Sequence, residues 1–313
     1  MNKCLSIVLP TYNENANIEK AYNVIKQILE QAKINFELVY VNDGSKDNSW
    51  DEILKVIEKS KQELIDSGVV GVNFSRNFGK EAAILAGLAS ASGGACVVMD
   101  CDLQHPPETL VEMYKLWQEG YEVVEGVKHS RGKEGSLYKL SAKAFYKMMT
   151  KATKIDMSRA SDFKLLDRKA VKSILDMPER NMFFRGLSSW IGFKKTEVEF
   201  DVREREEGES KWSKWSLVKY AINNITAFST APMQFISIAG ILTFLGAVIM
   251  GIQTLVKYFM GHAVQGFTTV ILLILIMGSI TMMSLGIMGY YIARIYEEVK
   301  RRPVYIISEI IGK

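Results

Sequence analysis

The chain has 313 residues, and its 39 basic and 35 acidic residues give a formal net charge of +4 at pH 7. So balanced a charge argues against a nucleic-acid partner, and the length suits one sizeable domain with additional segments. Three widely spaced cysteines without a C-x-x-C pair argue against a disulfide framework or a zinc site and favour a reducing compartment. The first residues lead directly into a strand pattern, so we expect no cleavable signal peptide.

The first hundred residues alternate between short apolar runs and amphipathic stretches with helical spacing. Four apolar runs predict β-strands, at residues 5–9, 36–41, 69–74 and 95–99. Three helices are expected between them, from a cap at Asn15 or Asn17 to about residue 32, from Asp47 to residue 64, and over residues 79–91. Strands that alternate with helices and are apolar almost throughout indicate an α/β fold whose parallel sheet is covered on both faces.

Polar residues follow each of the four predicted strands, at residues 10–14, 42–45, 75–80 and 100–104. In parallel sheets, ligands bind outside the carboxyl ends of the strands, although these residue types are also ordinary turn formers. Gly79 and Lys80 at a helix start offer backbone N–H groups and a cation to a phosphate. The glycine patterns of P-loop NTPases and of nicotinamide enzymes do not occur at these loops, so both classes are disfavoured.

Asp100 and Asp102 follow the fourth predicted strand directly. Two carboxylates one residue apart form an oxygen-rich site that suits Mg²⁺ or Mn²⁺, with Gln104 as a third oxygen ligand. An ion held by so few protein ligands keeps open positions that substrate phosphate oxygens fill. For an isolated D-x-D pair, an acidic turn without function is the alternative interpretation.

The sequence segments PTYNE at 10–14, VNDGS at 41–45, SRNFGK at 75–80 and DCDLQHPPE at 100–108 resemble family 2 glycosyltransferases of the GT-A fold. They are most similar to the polyprenyl-phosphate glycosyltransferases, such as dolichol-phosphate mannose synthases and bacterial undecaprenyl-phosphate glucosyltransferases. The resemblance implies a nucleoside pocket lined by Pro10, Tyr12, Glu14 and Asp43. It also implies a metal on the donor diphosphate held by Asp100, Asp102 and Gln104, with Arg76, Gly79 and Lys80 among the substrate-binding residues.

A basic loop at residues 126–133 precedes an amphipathic, lysine-containing stretch at 136–153. Such a stretch is ordinarily a solvated helix face. The resemblance implies that Arg131 binds the phosphate of an acceptor lipid, and it extends this role to Lys128 and Lys139.

Asp162 lies where many family 2 enzymes carry a catalytic base. A phosphate acceptor has a second pKa near ~6 and is already largely an anionic nucleophile at neutral pH. It needs positioning more than deprotonation, so Asp162 is either a base or a residue that orients neighbouring cations.

Residues 205–211 have the form R-x-x-G-x-S-K within a run of mixed charge. By itself this run would be a solvated loop. The resemblance implies a lid that closes over the donor and excludes water, with Arg205, Ser210 and Lys211 among the substrate-binding residues.

The last third of the chain is strongly apolar, with no charged residue between positions 220 and 256. Two membrane spans are expected, because each uncharged run exceeds about 20 residues, and basic residues on both flanks predict that both ends are cytoplasmic. Trp212 and Trp215 beside lysines predict a helix at the bilayer surface. The predicted division is a catalytic domain at 1–210, an amphipathic segment at 211–232, transmembrane helices at 233–257 and 265–292, and a cytoplasmic basic tail at 293–313.

These observations predict a metal-dependent glycosyltransferase that is multi-pass in the bacterial plasma membrane. It would transfer a sugar from a UDP-linked nucleotide sugar to undecaprenyl phosphate or a similar polyprenyl phosphate, with inversion, on the cytoplasmic side. Relatives suggest a homotetramer, and no nucleic-acid partner is expected. Two alternatives stay open: a processive polysaccharide synthase, which two spans and the absence of Gln-x-x-Arg-Trp disfavour, and a nonenzymatic membrane subunit that binds nucleotide sugars.

Overall fold

The structure is a computed structural model, and it describes residues 3–63, 68–128, 161–177, 179, 183–201, 231–261 and 266–312. The chain divides into two compact units. The first unit consists of Met1–Lys211 together with Pro303–Lys313, and the second consists of Trp212–Arg302.

The first unit is built around one sheet, and the described elements of the first hundred residues follow the alternation expected from the sequence. The described elements of the whole unit are β1 (Leu5–Thr11), α1 (Asn15–Gln31), β2 (Phe36–Asn42), α2 (Ser49–Gln62), β3 (Val69–Phe74), α3 (Lys80–Ser90), β4 (Ala95–Val98), α4 (Thr109–Gln118), β5 (Val123–Lys128), β6 (Lys164–Asp167), α5 (Arg168–Leu175), α6 (Phe184–Trp190), β7 (Lys195–Phe200) and β8 (Ile307–Ile311). The four predicted strands and three predicted helices are all present, with ends that differ by one or two residues.

The eight strands form a single sheet in the order β7-β5-β6-β4-β1-β2-β3-β8. Strand β1 pairs in parallel with β2 and β4, β2 with β3, and β5 with β7. Strand β6 is antiparallel to both β4 and β5, and β8 is antiparallel to β3. The mostly parallel α/β sheet is therefore confirmed, and the antiparallel strands β6 and β8 are additions that the sequence pattern did not reveal.

Each face of the sheet has its own hydrophobic core. Alternate residues of β1 supply Ile7 and Leu9 to one core and Val8 to the other, as expected for strands covered on both sides. Helix α3 packs closely on the second face, because a Cβ atom at Gly87 would lie 2.2 Å from the Cγ1 atom of Val8. This close packing fixes the position of α3, whose first residue is Lys80.

The C-terminal segment differs from the expected basic tail at residues 293–313. The last helix of the second unit, α8 (Phe267–Val299), ends within this segment, and β8 then forms at Ile307–Ile311 and pairs with β3. A five-residue strand has too weak a pattern to be recognised without its partner, which lies more than two hundred positions earlier in the chain.

The second unit contains two long helices, α7 (Ala231–Phe259) and α8 (Phe267–Val299). Within them, Ile236–Phe259 and Leu273–Val299 are long and apolar enough to cross a membrane. Many of their large apolar side chains are exposed in the described part of the chain, unlike those of a buried core helix. The predicted spans at 233–257 and 265–292 overlap these helices, whereas nearly all of the amphipathic segment at 211–232 lies outside the described residues.

Candidate functional site

The carboxyl ends of the central strands bring the predicted polar loops to one edge of the sheet. Strand register places Thr11 beside Asn42, and Asn42 beside Asn73. The Asn42 side-chain amide also donates a hydrogen bond to Asn73 Oδ1 over 2.8 Å. Because β1 also pairs with β4, the loop that carries Asp100 lies at the same edge.

The loops after β1 and β2 are tied together by backbone to side-chain hydrogen bonds. The N–H of Asn13 donates to Ser45 Oγ over 3.0 Å, and the N–H of Glu14 donates to Ser49 Oγ over 2.9 Å. Asn13 has a φ angle of +56°, a left-handed conformation that Asn tolerates better than most residues. This fixed loop presents the Tyr12 ring with 41% of its surface exposed.

Asp43 is buried and joins the loop after β2 to the start of α3. Its carboxylate accepts hydrogen bonds from the backbone N–H of Phe78 (2.6 Å) and of Gly79 (3.0 Å). Burial raises the pKa of Asp43, and these two hydrogen bonds oppose that rise. The Gly79 N–H, expected to face a phosphate, is therefore directed at Asp43, which holds the turn that leads into Lys80.

Four side chains of alternating charge form a continuous chain at this edge. Lys80 Nζ lies 2.5 Å from Asp100 Oδ1 and 3.1 Å from Asp162 Oδ2. Arg185 then binds Asp162 in a bidentate manner, with Nε 2.7 Å from Oδ1 and Nη2 2.8 Å from Oδ2. The order is Asp100, Lys80, Asp162, Arg185, and we call this set the charge chain.

Contacts within the charge chain shift the pKa values of its own side chains. Burial by itself would raise the pKa of Asp162, but Arg185 and Lys80 hold that pKa well below its usual range. Burial by itself would also raise the pKa of Asp100, but the neighbouring Lys80 outweighs this effect, so the pKa is lowered overall. Desolvation would lower the pKa of Lys80, but Asp100 and Asp162 raise it, so Lys80 is cationic.

This geometry bears on the two interpretations of Asp162. Both of its carboxylate oxygens already accept hydrogen bonds from cations, and its pKa is low. A general base works best with a pKa near the operating pH. The arrangement therefore favours Asp162 as a residue that orients Arg185 and Lys80 over Asp162 as a base.

Glu81 connects helix α3 to the start of helix α6. Its Oε2 atom accepts the backbone N–H of Phe184 over 2.9 Å, at the start of the helix that carries Arg185. Burial and the neighbouring Asp162 carboxylate raise the pKa of Glu81 to about 7. Helix α3 thus contacts α6 directly through Glu81 and Phe184. It also contacts α6 indirectly through Asp162, which precedes β6 and binds both Lys80 and Arg185.

His105 supports the loop that carries the acidic pair. Its ring stacks on Phe163 with centroids 4.7 Å apart and meets Phe200 edge-on at 5.4 Å. The ring is buried, its Nδ1 atom has no hydrogen-bond partner, and burial lowers its pKa. Nearby, Leu103 has a φ angle of +56°, and such backbone strain is concentrated at functional sites.

Sequence reasoning missed three of these residues, Glu81, Arg185 and His105. Arg185 occurs in a segment that matches the narrower family, but nothing local indicated that its partner is Asp162, 23 positions earlier. Glu81 follows Lys80 directly, yet its contact with Phe184 spans 103 positions. His105 is part of the DCDLQHPPE segment, but its ring contacts with Phe163 and Phe200 form only on folding.

The acidic pair fits a divalent cation by the chemistry of its donors. Asp100, with 34% of its side chain exposed, already binds a cation in the form of the Lys80 ammonium group. Asp102 and the half-buried Gln104 follow in the same loop, where the Gln104 N–H donates to Asp102 Oδ1 over 3.1 Å. No group of three His, Cys, Asp or Glu side chains suited to a metal occurs in the described residues.

The remaining predicted site residues fall into two groups. Pro10 is half-buried at the end of β1, Lys128 is exposed at the end of β5, and the Arg76 guanidinium lies 4.8 Å from the centroid of the Phe78 ring. Five predicted residues lie outside the described part of the chain: Arg131, Lys139, Arg205, Ser210 and Lys211.

Comparison with known proteins gives one family and several full-length relatives. Residues 6–175 match the model of glycosyl transferase family 2. An uncharacterized glycosyltransferase of Bacillus subtilis (strain 168) is 42% identical over 309 residues, which cover 98% of this chain and 94% of that protein. A bactoprenol glucosyl transferase of Shigella phage SfII is 37% identical over 311 residues, with 97% of each chain covered.

A similar solved structure is glucosyl-3-phosphoglycerate synthase from Mycobacterium tuberculosis in complex with UDP. It is 19% identical, with a TM-score of 0.46, and the match covers 72% of this chain and 79% of that one. The same enzyme has been solved in complex with Mn²⁺ and UDP-glucose, at a TM-score of 0.44 and 20% identity, with 70% and 76% of the two chains covered.

Proposed function

Because the chain belongs to glycosyl transferase family 2, we propose that it transfers a sugar from a UDP-linked nucleotide sugar to the phosphate of a polyprenyl phosphate, with inversion at the anomeric carbon. The observation that carries this proposal is the charge chain, which includes Asp100 of the acidic pair. The protein also aligns over nearly its whole length with a bactoprenol glucosyl transferase. Bactoprenol is a polyprenol, so the relative's name supports the acceptor class.

The charges of the site suit two phosphorylated substrates. Lys80 and Arg185 are cations whose side chains are 42% and 32% exposed, and both are held by Asp162. They can bind phosphate oxygens while Asp162 fixes their geometry, Arg185 through its fork and Lys80 as a point charge. The acceptor phosphate is already an anion at neutral pH, so Asp162 acts by positioning these cations and does not need to remove a proton.

The acidic pair accounts for the departure of the nucleoside diphosphate. When bound, Mg²⁺ or Mn²⁺ on Asp100, Asp102 and Gln104 supplies positive charge for the diphosphate as its bond to the sugar breaks. The protein positions these ligands on a short loop that His105 anchors, because the His105 ring packs against Phe163 and Phe200. The loop after β1, tied to the loop after β2, would hold the nucleoside against Tyr12.

The two apolar helices support a location in the membrane that supplies the lipid. The chain leaves the sheet domain before α7 and rejoins it at β8 after α8, so two crossings would leave both flanks on one side. Together with the basic flanks, this supports a cytoplasmic catalytic domain in a bacterial plasma membrane. Anchoring to the bilayer raises the effective concentration of a lipid acceptor. A homotetramer stays a prediction, to be tested by the mass of the solubilised chain.

One experiment separates this function from the two alternatives. The full chain in membranes is incubated with undecaprenyl phosphate, MgCl₂ or MnCl₂, and UDP-sugars or GDP-sugars that carry a labelled monosaccharide. We expect a lipid-extractable product with one sugar. A labelled polymer would favour a processive synthase, and donor binding without any product would favour a nonenzymatic subunit.

A further inference from the structure

The last strand, β8, is part of the same sheet that carries the candidate site. Strand β8 pairs antiparallel with β3, with Ile311 opposite Gly71 and Ile307 opposite Phe74. Its far end fits closely, because Gly312 has a φ angle of +89° and a Cβ atom there would lie 2.0 Å from the carbonyl oxygen of Val69. The final strand therefore covers the edge of β3 that would otherwise be unpaired.

The pairing continues past β3 into the loop that leads to the site. The backbone N–H of Ser75 donates to the carbonyl of Ile306 over 3.1 Å. The Tyr305 ring stacks on Phe74, with centroids 5.2 Å apart and planes at 11°. Phe74 in turn meets the Phe78 ring edge-on at 5.7 Å and 89°. Three aromatic rings thus connect the C-terminal segment to Phe78.

Tyr305, Phe74 and Phe78 form an aromatic row, and Phe78 is its member closest in sequence to Lys80 of the charge chain. Its backbone N–H donates to Asp43 over 2.6 Å, and Gly79 donates to the same carboxylate. The next residue, Lys80, reaches Asp100 and Asp162. A displacement of Phe78 would therefore move both the Asp43 contacts and Lys80 of the charge chain.

We propose that residues 304–311, and Tyr305 in particular, are a positioning element for the site. Tyr305 packs on Phe74 and, through it, holds Phe78 where Asp43 can bind the Phe78 and Gly79 amides and Lys80 can reach Asp100. The segment that follows the apolar helices thus completes the site that precedes them in sequence. Only the consequence for donor binding rests on the proposed function.

Hydrogen–deuterium exchange of the full-length chain in detergent tests the positioning directly, without a ligand. In Tyr305→Ala we expect the amides of Phe78 and Gly79 to exchange about tenfold faster, while those of β1 and β2 keep their protection. Tyr305→Phe keeps the stacked ring and should restore slow exchange. Ile310→Ala is the matched control, since that side chain is 41% exposed on the same strand and lies outside the aromatic row.

Two results would overturn the proposal. One is unchanged protection of Phe78 and Gly79 in Tyr305→Ala, and the other is equal loss of protection in Ile310→Ala, which would indicate simple fraying of β8. General unfolding is recognised separately, because it would remove protection from β1 and β2 as well.

Titration with UDP in the presence of MgCl₂ then measures the consequence for the donor. Tyr305→Ala should weaken UDP binding about fivefold or more, and the donor KM should rise more than kcat falls, whereas Tyr305→Phe and Ile310→Ala should match the unaltered chain. Unchanged UDP affinity in Tyr305→Ala would contradict a role in donor binding. If the unaltered chain binds neither UDP nor GDP, the proposed function fails, and the exchange experiment still decides the positioning role.

Discussion

The ammonium group of Lys80 lies 2.5 Å from Oδ1 of Asp100, the first carboxylate of the acidic pair. Lys80 therefore provides the positive charge that a divalent cation would otherwise bring to Asp100, and its second contact with Asp162 offers it another place to bind. A divalent cation at the pair would therefore compete with the Lys80–Asp100 contact.

Lys80→Met should strengthen the binding of Mn²⁺ alone, because it removes a competing unit charge close to Asp100. Two unit charges about 4 Å apart interact by ~1 kcal/mol in bulk water and by ~4 kcal/mol near a protein surface, so the affinity should rise by about fivefold or more. Electron paramagnetic resonance of free Mn²⁺ measures this directly. Lys59→Met, which removes a lysine from an exposed ion pair with Glu19, is the control and should leave the affinity unchanged. Equal or weaker Mn²⁺ binding by Lys80→Met would refute the competition.

Asp102→Asn should reduce sugar transfer by about a hundredfold or more, since it removes one of two carboxylates expected to hold the cation. The protein should stay folded and membrane-bound, because the substituted carboxamide keeps an oxygen that can accept the Gln104 N–H. Transfer to lipid and the thermal unfolding midpoint are measured on the same preparation. Asp51→Asn, at an exposed position in the first turn of α2, should behave as the unaltered chain. Full activity in Asp102→Asn would count heavily against the metal role.

Asp162 and Arg185 should act as a unit, because their bidentate contact joins two groups with one function. Asp162→Asn and Arg185→Lys should each lower kcat/KM by about tenfold or more, and the double variant should lose little beyond either one. The pH dependence of the unaltered chain should show no titration of Asp162 near neutral pH, since its pKa is held low. Additive losses would mean that the two residues do not act as a unit. A catalytic pKa near neutrality that Asp162→Asn abolishes would indicate a base.

Glu81→Gln should stabilise the protein at pH 8 and have little effect at pH 4. The folded state raises the pKa of Glu81 from an ordinary value near 4.5 to about 7, so the folded chain binds a proton that the unfolded chain releases. Stability contributed by this group therefore falls as the pH rises from about 4.5 to about 7. Glutamine stays neutral and can still accept the Phe184 N–H, so its unfolding midpoint should depend less on pH across this range. A midpoint at pH 8 below that of the unaltered chain would contradict this account.

Much of the first hundred residues could be predicted from sequence because their signals are local. The apolar runs that became β1 to β4 are covered on both faces, and such strands differ clearly from the amphipathic helices between them. Parallel order then places Asp43, Lys80 and Asp100 at one edge of the sheet by topology alone. The eight-stranded sheet confirms the α/β class, and the family match confirms glycosyl transferase family 2.

Contacts between residues that are far apart in the chain could not be predicted from the sequence. No local pattern indicates that β6 inserts antiparallel between β4 and β5, or that the Asp43 carboxylate turns towards Phe78 and Gly79. The role of Asp162 could not be decided either, because the choice between base and positioning residue depends on which cations its oxygens meet.

Hydrophobic periodicity and turn chemistry act over a few residues, so the first four strands, the three helices between them, the polar loops and the two long apolar segments follow from sequence alone. Which charges neutralise one another, and which strand completes the sheet, depend on the folded structure. Those outcomes depend on side chains that approach within hydrogen-bonding distance after folding, as Lys80 does with Asp162 and as β8 does with β3.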